Sequence, residues 1–270
     1  MVLKQGGFVM KYYVVDAFAE KVFEGNPVGV CILDEPLSDE LMQKIAMENN
    51  LSETAFALKD KDGYGLRWFT PGGEINLCGH ATLGTAFVIM NYIEKALSTI
   101  RFQTLSGVLT VTKVGTIYEM DFPTIFSVKY PLSQQMVNAL GVTPKETYKN
   151  RDLIFLLDSE EAVRNITPDF AKLKEIPVGL AVFVTAKAKG KKYDFVSRAF
   201  WPKLKVNEDP VCGSMHCSLI PFWAERLNKH EMVARQLSYR GGTLYCKYEN
   251  DRVKIAGKAV LYSIADIFVE

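Results

Sequence analysis

The sequence predicts an α+β chain built of two similar halves, each a β-sheet wrapped around its own buried helix. Strand-forming runs outnumber helical ones, two stretches are uncharged on every face, and two short motifs recur in the same order about half the chain apart. Runs rich in β-branched and aromatic residues mark strands at Lys11–Phe18, Val28–Leu33, Thr54–Leu58, Tyr64–Phe69, Thr99–Gln103, Val108–Thr112 and Ile117–Phe122. They resume at Leu153–Leu157, Leu180–Thr185, Tyr193–Ser197 and Leu244–Tyr248. Ser38, with Leu41, Ile45 and Glu48 after it, predicts an N-capped amphipathic helix. Helices of matching length do not alternate with the strands, which argues against a doubly wound parallel sheet.

Two segments break the amphipathic pattern. Ala81–Met90 and Cys217–Ala224 carry no charge, and a helix that is apolar all round belongs inside a protein. Each follows the same pair of motifs. Arg67-Trp68-Phe69-Thr70-Pro71 is echoed by Arg198-Ala199-Phe200-Trp201-Pro202. Glu74-Ile75-Asn76-Leu77-Cys78-Gly79 is echoed by Glu208-Asp209-Pro210-Val211-Cys212-Gly213. Two motifs in one order, each leading into an uncharged helix, point to internal duplication. A weaker echo pairs Pro27-Val28-Gly29-Val30 with Pro177-Val178-Gly179-Leu180. If the copies pack about a pseudo-twofold axis, the two Cys-Gly turns flank one cleft.

Composition narrows the partner. The net charge of +1 supplies no basic excess for a nucleic acid or an anionic membrane surface, so the expected partner is a small molecule. No apolar run approaches the ~20 residues of a membrane-spanning helix. The stretch Met1–Met10 does not read as a signal peptide. Five cysteines, an odd number, do not suggest a disulfide framework, and the expectation is a reduced, cytoplasmic protein. The lysines around Gly190 read as a solvated hairpin turn, and His230 as a surface residue.

A glycine entering a buried helix lets the backbone approach a ligand, and the first free N–H groups form an anion site. The same positive helix end lowers a thiol's pKa, so Cys78 and Cys212 are expected to be partly ionised at neutral pH. Cys78, His80, Cys212 and His216 are also soft metal ligands, but no C-x-x-C or H-x-x-x-H spacing accompanies them.

Asn26-Pro27-Val28, Ser52-Glu53-Thr54-Ala55-Phe56, Phe69-Thr70-Pro71, Leu77-Cys78-Gly79-His80-Ala81-Thr82, Glu208-Asp209-Pro210-Val211-Cys212-Gly213-Ser214 and Arg240-Gly241-Gly242 together resemble the signature of the PhzF-like phenazine-biosynthesis family. The resemblance implies two domains of diaminopimelate epimerase-like fold, each a barrel-like mixed sheet around a central helix. We set them at 10–124, completed by a C-terminal strand at 264–270, and at 125–263. It also implies a homodimer, no cofactor and a small carboxylate-bearing substrate. Glu53 would be the acid/base that moves a proton between carbons, with burial beside Leu51 and Phe56 tuning its pKa. His80 and Asp209 would orient the substrate, and the backbone at Gly79, Gly213 and Ser214 would bind its carboxylate. The chain departs from the family at Cys212, where Thr is usual. Paired Cys78 and Cys212 resemble a two-cysteine racemase or epimerase instead, yet His80-Ala81 and Ser214-Met215 do not match the rest of that turn. A non-catalytic metabolite-binding homodimer is a third reading, against which the presence of Glu53, His80 and Asp209 counts.

Overall fold

The computed structural model describes residues 7–269. Met1–Gly6, part of the stretch weighed above as a leader, and Glu270, the end of the completing strand, lie outside the described residues. The chain separates into two compact units, one of residues up to Asp121 together with those from Ala256 onward, the other of Phe122–Ile255.

In the first unit β1 (Phe8–Ala17) begins ahead of Met10 and turns into β2 (Asn26–Leu33), to which it pairs antiparallel. Helix α1 (Asp39–Asn49) then carries the chain over to β3 (Thr54–Asp60), which runs parallel to β2 with Gly29 opposite Thr54. Parallel neighbours cannot be joined by a hairpin, and α1 is the crossover they require. Ser38 caps it as its sequence predicts, its Oγ accepting from Leu41 N at 3.2 Å. The buried residues of α1, Met42, Ile45 and Ala46, close over a core with Phe56 and Phe69.

β4 (Gly63–Thr70) pairs antiparallel with β3 and folds back through the short β5 (Gly73–Ile75). Next comes α2 (Gly79–Val88), whose turns widen into a π-helical stretch at Ile89–Ile93. α2 crosses from β4 to β6 (Thr99–Thr104), again a parallel pair, and β7 (Gly107–Val114) and β8 (Ile117–Pro123) complete a meander. Among its ten residues α2 buries eight, against β1, β2, β3 and β7. Gly84 sets that approach, because a Cβ there would lie 2.5 Å from Val28 Cγ1.

The second unit repeats the plan. After β9 (Val128–Lys129) and α3 (Gln134–Leu140), β10 (Glu146–Lys149) pairs antiparallel with β11 (Leu153–Leu156). The helices α4 (Glu160–Asn165) and α5 (Phe170–Glu175) form the crossover to β12 (Val182–Lys187), parallel to β11. β13 (Phe195–Trp201) pairs antiparallel with β12 and with the short β14 (Val206–Asp209). α6 (Gly213–Leu227) leads to β15 (Glu231–Gln236), parallel to β13, and β16 (Gly242–Glu249) and β17 (Arg252–Gly257) follow. α6 buries a continuous run from Met215 to Ala224 and packs on β15 and β16. Pro221 removes the N–H that would have reached the Cys217 carbonyl, and Ile125 N takes that carbonyl at 3.0 Å instead. Finally β18 (Ala259–Val269) returns to the first unit, antiparallel to β1.

Matching the two element orders tests the sequence echoes. Pro27–Val30 lies in β2, whereas Pro177–Leu180 precedes β12, the counterpart of β3, so that weaker echo does not mark equivalent positions. The stronger motifs hold to the level of single contacts. Arg67 grips Glu74 with two bonds, of 2.6 and 2.7 Å, and Arg198 grips Glu208 with two, of 2.7 and 2.9 Å. Both guanidinium groups lie 5.1 Å from the ring of the phenylalanine two residues on, Phe69 or Phe200.

Candidate active site

Each unit builds one Cys-Gly turn at the entry to its buried helix. Cys78 and Cys212 are the N-cap residues of α2 and α6, in extended conformation and without a side-chain cap bond. The following N–H groups have no partner within the helix, which leaves a positive rim at Gly79 and at Gly213-Ser214. A side chain one turn on ties back each cap carbonyl. Thr82 Oγ1 donates to Cys78 O at 2.6 Å, and His216 Nδ1 lies 2.8 Å from Cys212 O. A serine beyond the next strand steadies each approach, Ser106 Oγ donating to Asn76 O at 2.8 Å and Ser238 Oγ to Pro210 O at 2.7 Å.

The first turn gathers ionisable groups. Glu53 stands just ahead of β3, its backbone carbonyl accepting from Gly29 N at 3.2 Å. Its Oε2 lies 3.0 Å from His80 Nε2, with the carboxylate side chain 16% exposed and the imidazole 7%. The two atoms are close but poorly aligned, so neither completes a hydrogen bond although both are buried. At the other end of the ring, His80 Nδ1 is 3.2 Å from Asn26 Nδ2 and 3.5 Å from Cys78 Sγ. Burial opposes a charge on His80, but the neighbouring Glu53 carboxylate favours one, and the imidazole is held well above its ordinary pKa, so the neutral ring belongs to alkaline pH. Phe56, expected beside Glu53, belongs to the core under α1.

The second turn is held by hydrogen bonds and carries one carboxylate, that of Asp209, beside the Cys212 thiol. Gln236, fully buried at the end of β15, accepts from Cys212 N at 2.8 Å through Oε1 and donates to Asp209 O at 2.6 Å through Nε2. Ser214 is exposed, its Oγ 3.4 Å from Cys212 Sγ. His216 is buried, and desolvation lowers its pKa from 6.5 to about 4.

Both thiols depart from the expectation of partial ionisation. Burial, reinforced by Glu53, raises the pKa of Cys78; burial and Asp209 raise that of Cys212 further. Only 7% and 3% of these residues is exposed. A helix N-terminus favours a thiolate, but losing water costs more here, and both side chains stand as neutral thiols.

Glu53, Cys78 and His80 bring one ligand atom each to within 4.8 Å of one another. The imidazole, however, turns one nitrogen to the carboxylate and the other to the thiol. One ring cannot aim both lone pairs at one ion, so the trio suits proton handling better than ligation. Of the four soft ligands weighed from sequence, the first unit joins Cys78 with His80; in the second, His216 binds the Cys212 carbonyl, not its thiol. Asn26 and Gln236 escaped the sequence reading as site residues. Asn26 carried a signal in its Asn-Pro motif; Gln236 carried none.

Comparison with known proteins gives the fold and site their class. The chain is 47% identical to an uncharacterised isomerase from Pseudomonas aeruginosa, over 93% of this chain and 96% of that protein. A solved structure of a PhzF-family protein from Enterococcus faecalis superposes with a TM-score of 0.94 at 50% identity, covering 96% of this chain and 99% of that one. A hydroxyproline epimerase from Agrobacterium vitis shares the fold at a TM-score of 0.61 and 11% identity, over 96% of this chain and 91% of that one. The protein is therefore an isomerase on the diaminopimelate epimerase-like fold. The model of the phenazine biosynthesis-like proteins matches residues 15–264, and the chain belongs to that family.

Proposed function

We propose that the protein is a cofactor-independent isomerase that moves a proton between carbons of a small carboxylate-bearing substrate, with Glu53 as the acid/base. The observation that carries this is the Glu53 carboxylate, mostly buried, beside His80 Nε2 at the entry to a helix with unspent N–H groups. A carboxylate takes up and returns a proton without a cofactor, and the helix end suits the substrate's anionic group. His80 and Asp209 orient the substrate, and the backbone at Gly79, Gly213 and Ser214 receives its carboxylate. The two-cysteine racemase is the weaker reading, because its base would be a thiolate and burial raises the pKa of both thiols. The five cysteines, all free and buried, fit a reduced cytoplasmic setting. The family resemblance supports a homodimer in which each unit is a domain.

Deuterium uptake from heavy water into a panel of amino acids and cyclohexadiene carboxylates, followed by mass spectrometry, tests the assignment. Glu53→Gln should lower exchange by about 10²–10⁴-fold, the usual weight of a general acid/base. Cys212→Ala should leave exchange within a few-fold. The reverse pattern, with inversion at an α-carbon, would establish the thiol pair instead.

A further inference from the structure

We propose that neutral His80 carries its ring proton on Nε2, locked there by Asn26 and by Cys78 acting as a hydrogen-bond donor. This deepens the Glu53 reading: Glu53 faces a permanent N–H donor, and Cys78 is a positioning residue, not a second base.

An amide nitrogen has two hydrogens to give and no lone pair to offer, and Asn26 Nδ2 stands 3.2 Å from Nδ1. The second neighbour is the Cys78 thiol at 3.5 Å, within the longer reach of a sulfur donor. With its proton retained, that thiol also presents a hydrogen. Two donors at one nitrogen are satisfied only by a bare lone pair. The ring's single proton therefore sits on Nε2, opposite Glu53 Oε2 at 3.0 Å.

That N–H is close to the carboxylate but badly aligned, and among buried side-chain atoms both are without a hydrogen-bond partner. A buried donor so placed is available to a substrate oxygen bound between or beside the two groups. The groups known to face the ring are Glu53 at one nitrogen, with Asn26 and Cys78 at the other. A proton added at Nδ1 obliges both neighbours to turn their hydrogens away.

The second unit supplies an internal control. His216 Nδ1 lies 2.8 Å from a carbonyl oxygen, which has no hydrogen to give, so the ring must donate from Nδ1 and leave Nε2 bare. The two buried histidines thus hold opposite tautomers.

The chain has three histidines, so the full-length protein labelled with ring-¹⁵N histidine gives a readable spectrum, assigned with His216→Thr and His230→Gln variants. In wild type at alkaline pH, His80 should show a protonated Nε2 and a bare Nδ1, and His216 the reverse. Asn26→Asp replaces the donor by an acceptor and should return the proton to Nδ1 of His80 while leaving His216 unchanged. Cys78→Ala should keep the wild-type tautomer, since Asn26 remains. A protonated Nδ1 on neutral wild-type His80 overturns the proposal without any variant. So does an Asn26→Asp protein with an intact His216 signal and an unaltered His80. These spectra need no substrate, so they can fail while Glu53→Gln still abolishes exchange, and the reverse.

Discussion

The Cys-Gly turns of the two units are one backbone device carrying different chemistry. Both begin a buried helix with a cysteine that makes no side-chain cap bond, both tie the cap carbonyl from one turn on, and both are steadied by a serine. Around Cys78, however, a carboxylate and an imidazole meet with incomplete bonding. Around Cys212 the buried Gln236 bonds the turn on both sides. Duplication preserved what makes the backbone reach its shape. What surrounds the thiol then differs: Glu53 and His80 in one copy, Asp209 and the bonds of Gln236 in the other.

The largest test of this contrast compares the two arginine clamps. Arg198 has a side chain 13% exposed, and besides Glu208 it serves the carbonyls of Val163, Arg164 and Ile166, which end α4. Arg198→Leu strands a half-buried carboxylate and those carbonyls, and should cost about 3–5 kcal/mol. Arg67→Leu removes a pair with side chains 35% and 25% exposed, where water screens the charges, and should cost about 1 kcal/mol or less. Urea unfolding reads both. Equal losses would show that the copies have not diverged in how they hold these turns.

The next compares Thr82 with its counterpart His216. Below pH 6.5 the unfolded chain protonates His216 while the folded one stays neutral down to about 4, so stability falls with pH across that window. The loss should reach roughly 3 kcal/mol. His216→Thr keeps a hydroxyl for the Cys212 carbonyl and should remove that part of the acid sensitivity, measured as the difference between urea midpoints at about pH 7 and about pH 4. A variant with the wild-type slope would show that His216 is not the source.

The smallest concerns helix placement. Gly84→Ala drives a methyl group toward Val28 and should destabilise by about 1–3 kcal/mol. In the second helix, Ser218→Ala loses only the bond from Asn150 Nδ2, 2.8 Å long, worth about 1 kcal/mol. A neutral Gly84→Ala would mean that α2 can shift on its sheet.

Much of the scaffold was legible because its signals are dense and local. The β-branched runs, the Ser38 cap and the two uncharged stretches each announce an element within a few residues. The short helices α3, α4 and α5 were not, since six or seven residues offer too few turns for a periodicity. β15 was missed because its outward Glu231, Val233 and Arg235 alternate with buried Met232, Ala234 and Gln236, and the polar residues mask the strand. Within the site, Glu53, Cys78 and His80 were visible as a group and the structure joins them. Their protonation was not visible: a helix entry reads as a lowered thiol pKa until the three-dimensional burial is known. Gln236 acts by where β15 ends, which no local pattern records. The second serine tie did leave a trace, the paired Leu105-Ser106 and Leu237-Ser238, too short to stand out without the strands around it.

The return of β18 sets a timetable for biosynthesis. Of the described strands β1 is made first, but it pairs with β18, the last of them to be made, as well as with β2. The second unit lies wholly between them and can close while the N-terminal copy waits with an open edge. Until β18 has been made, that edge can recruit the wrong strand, so the earliest of these strands is the last to be sealed.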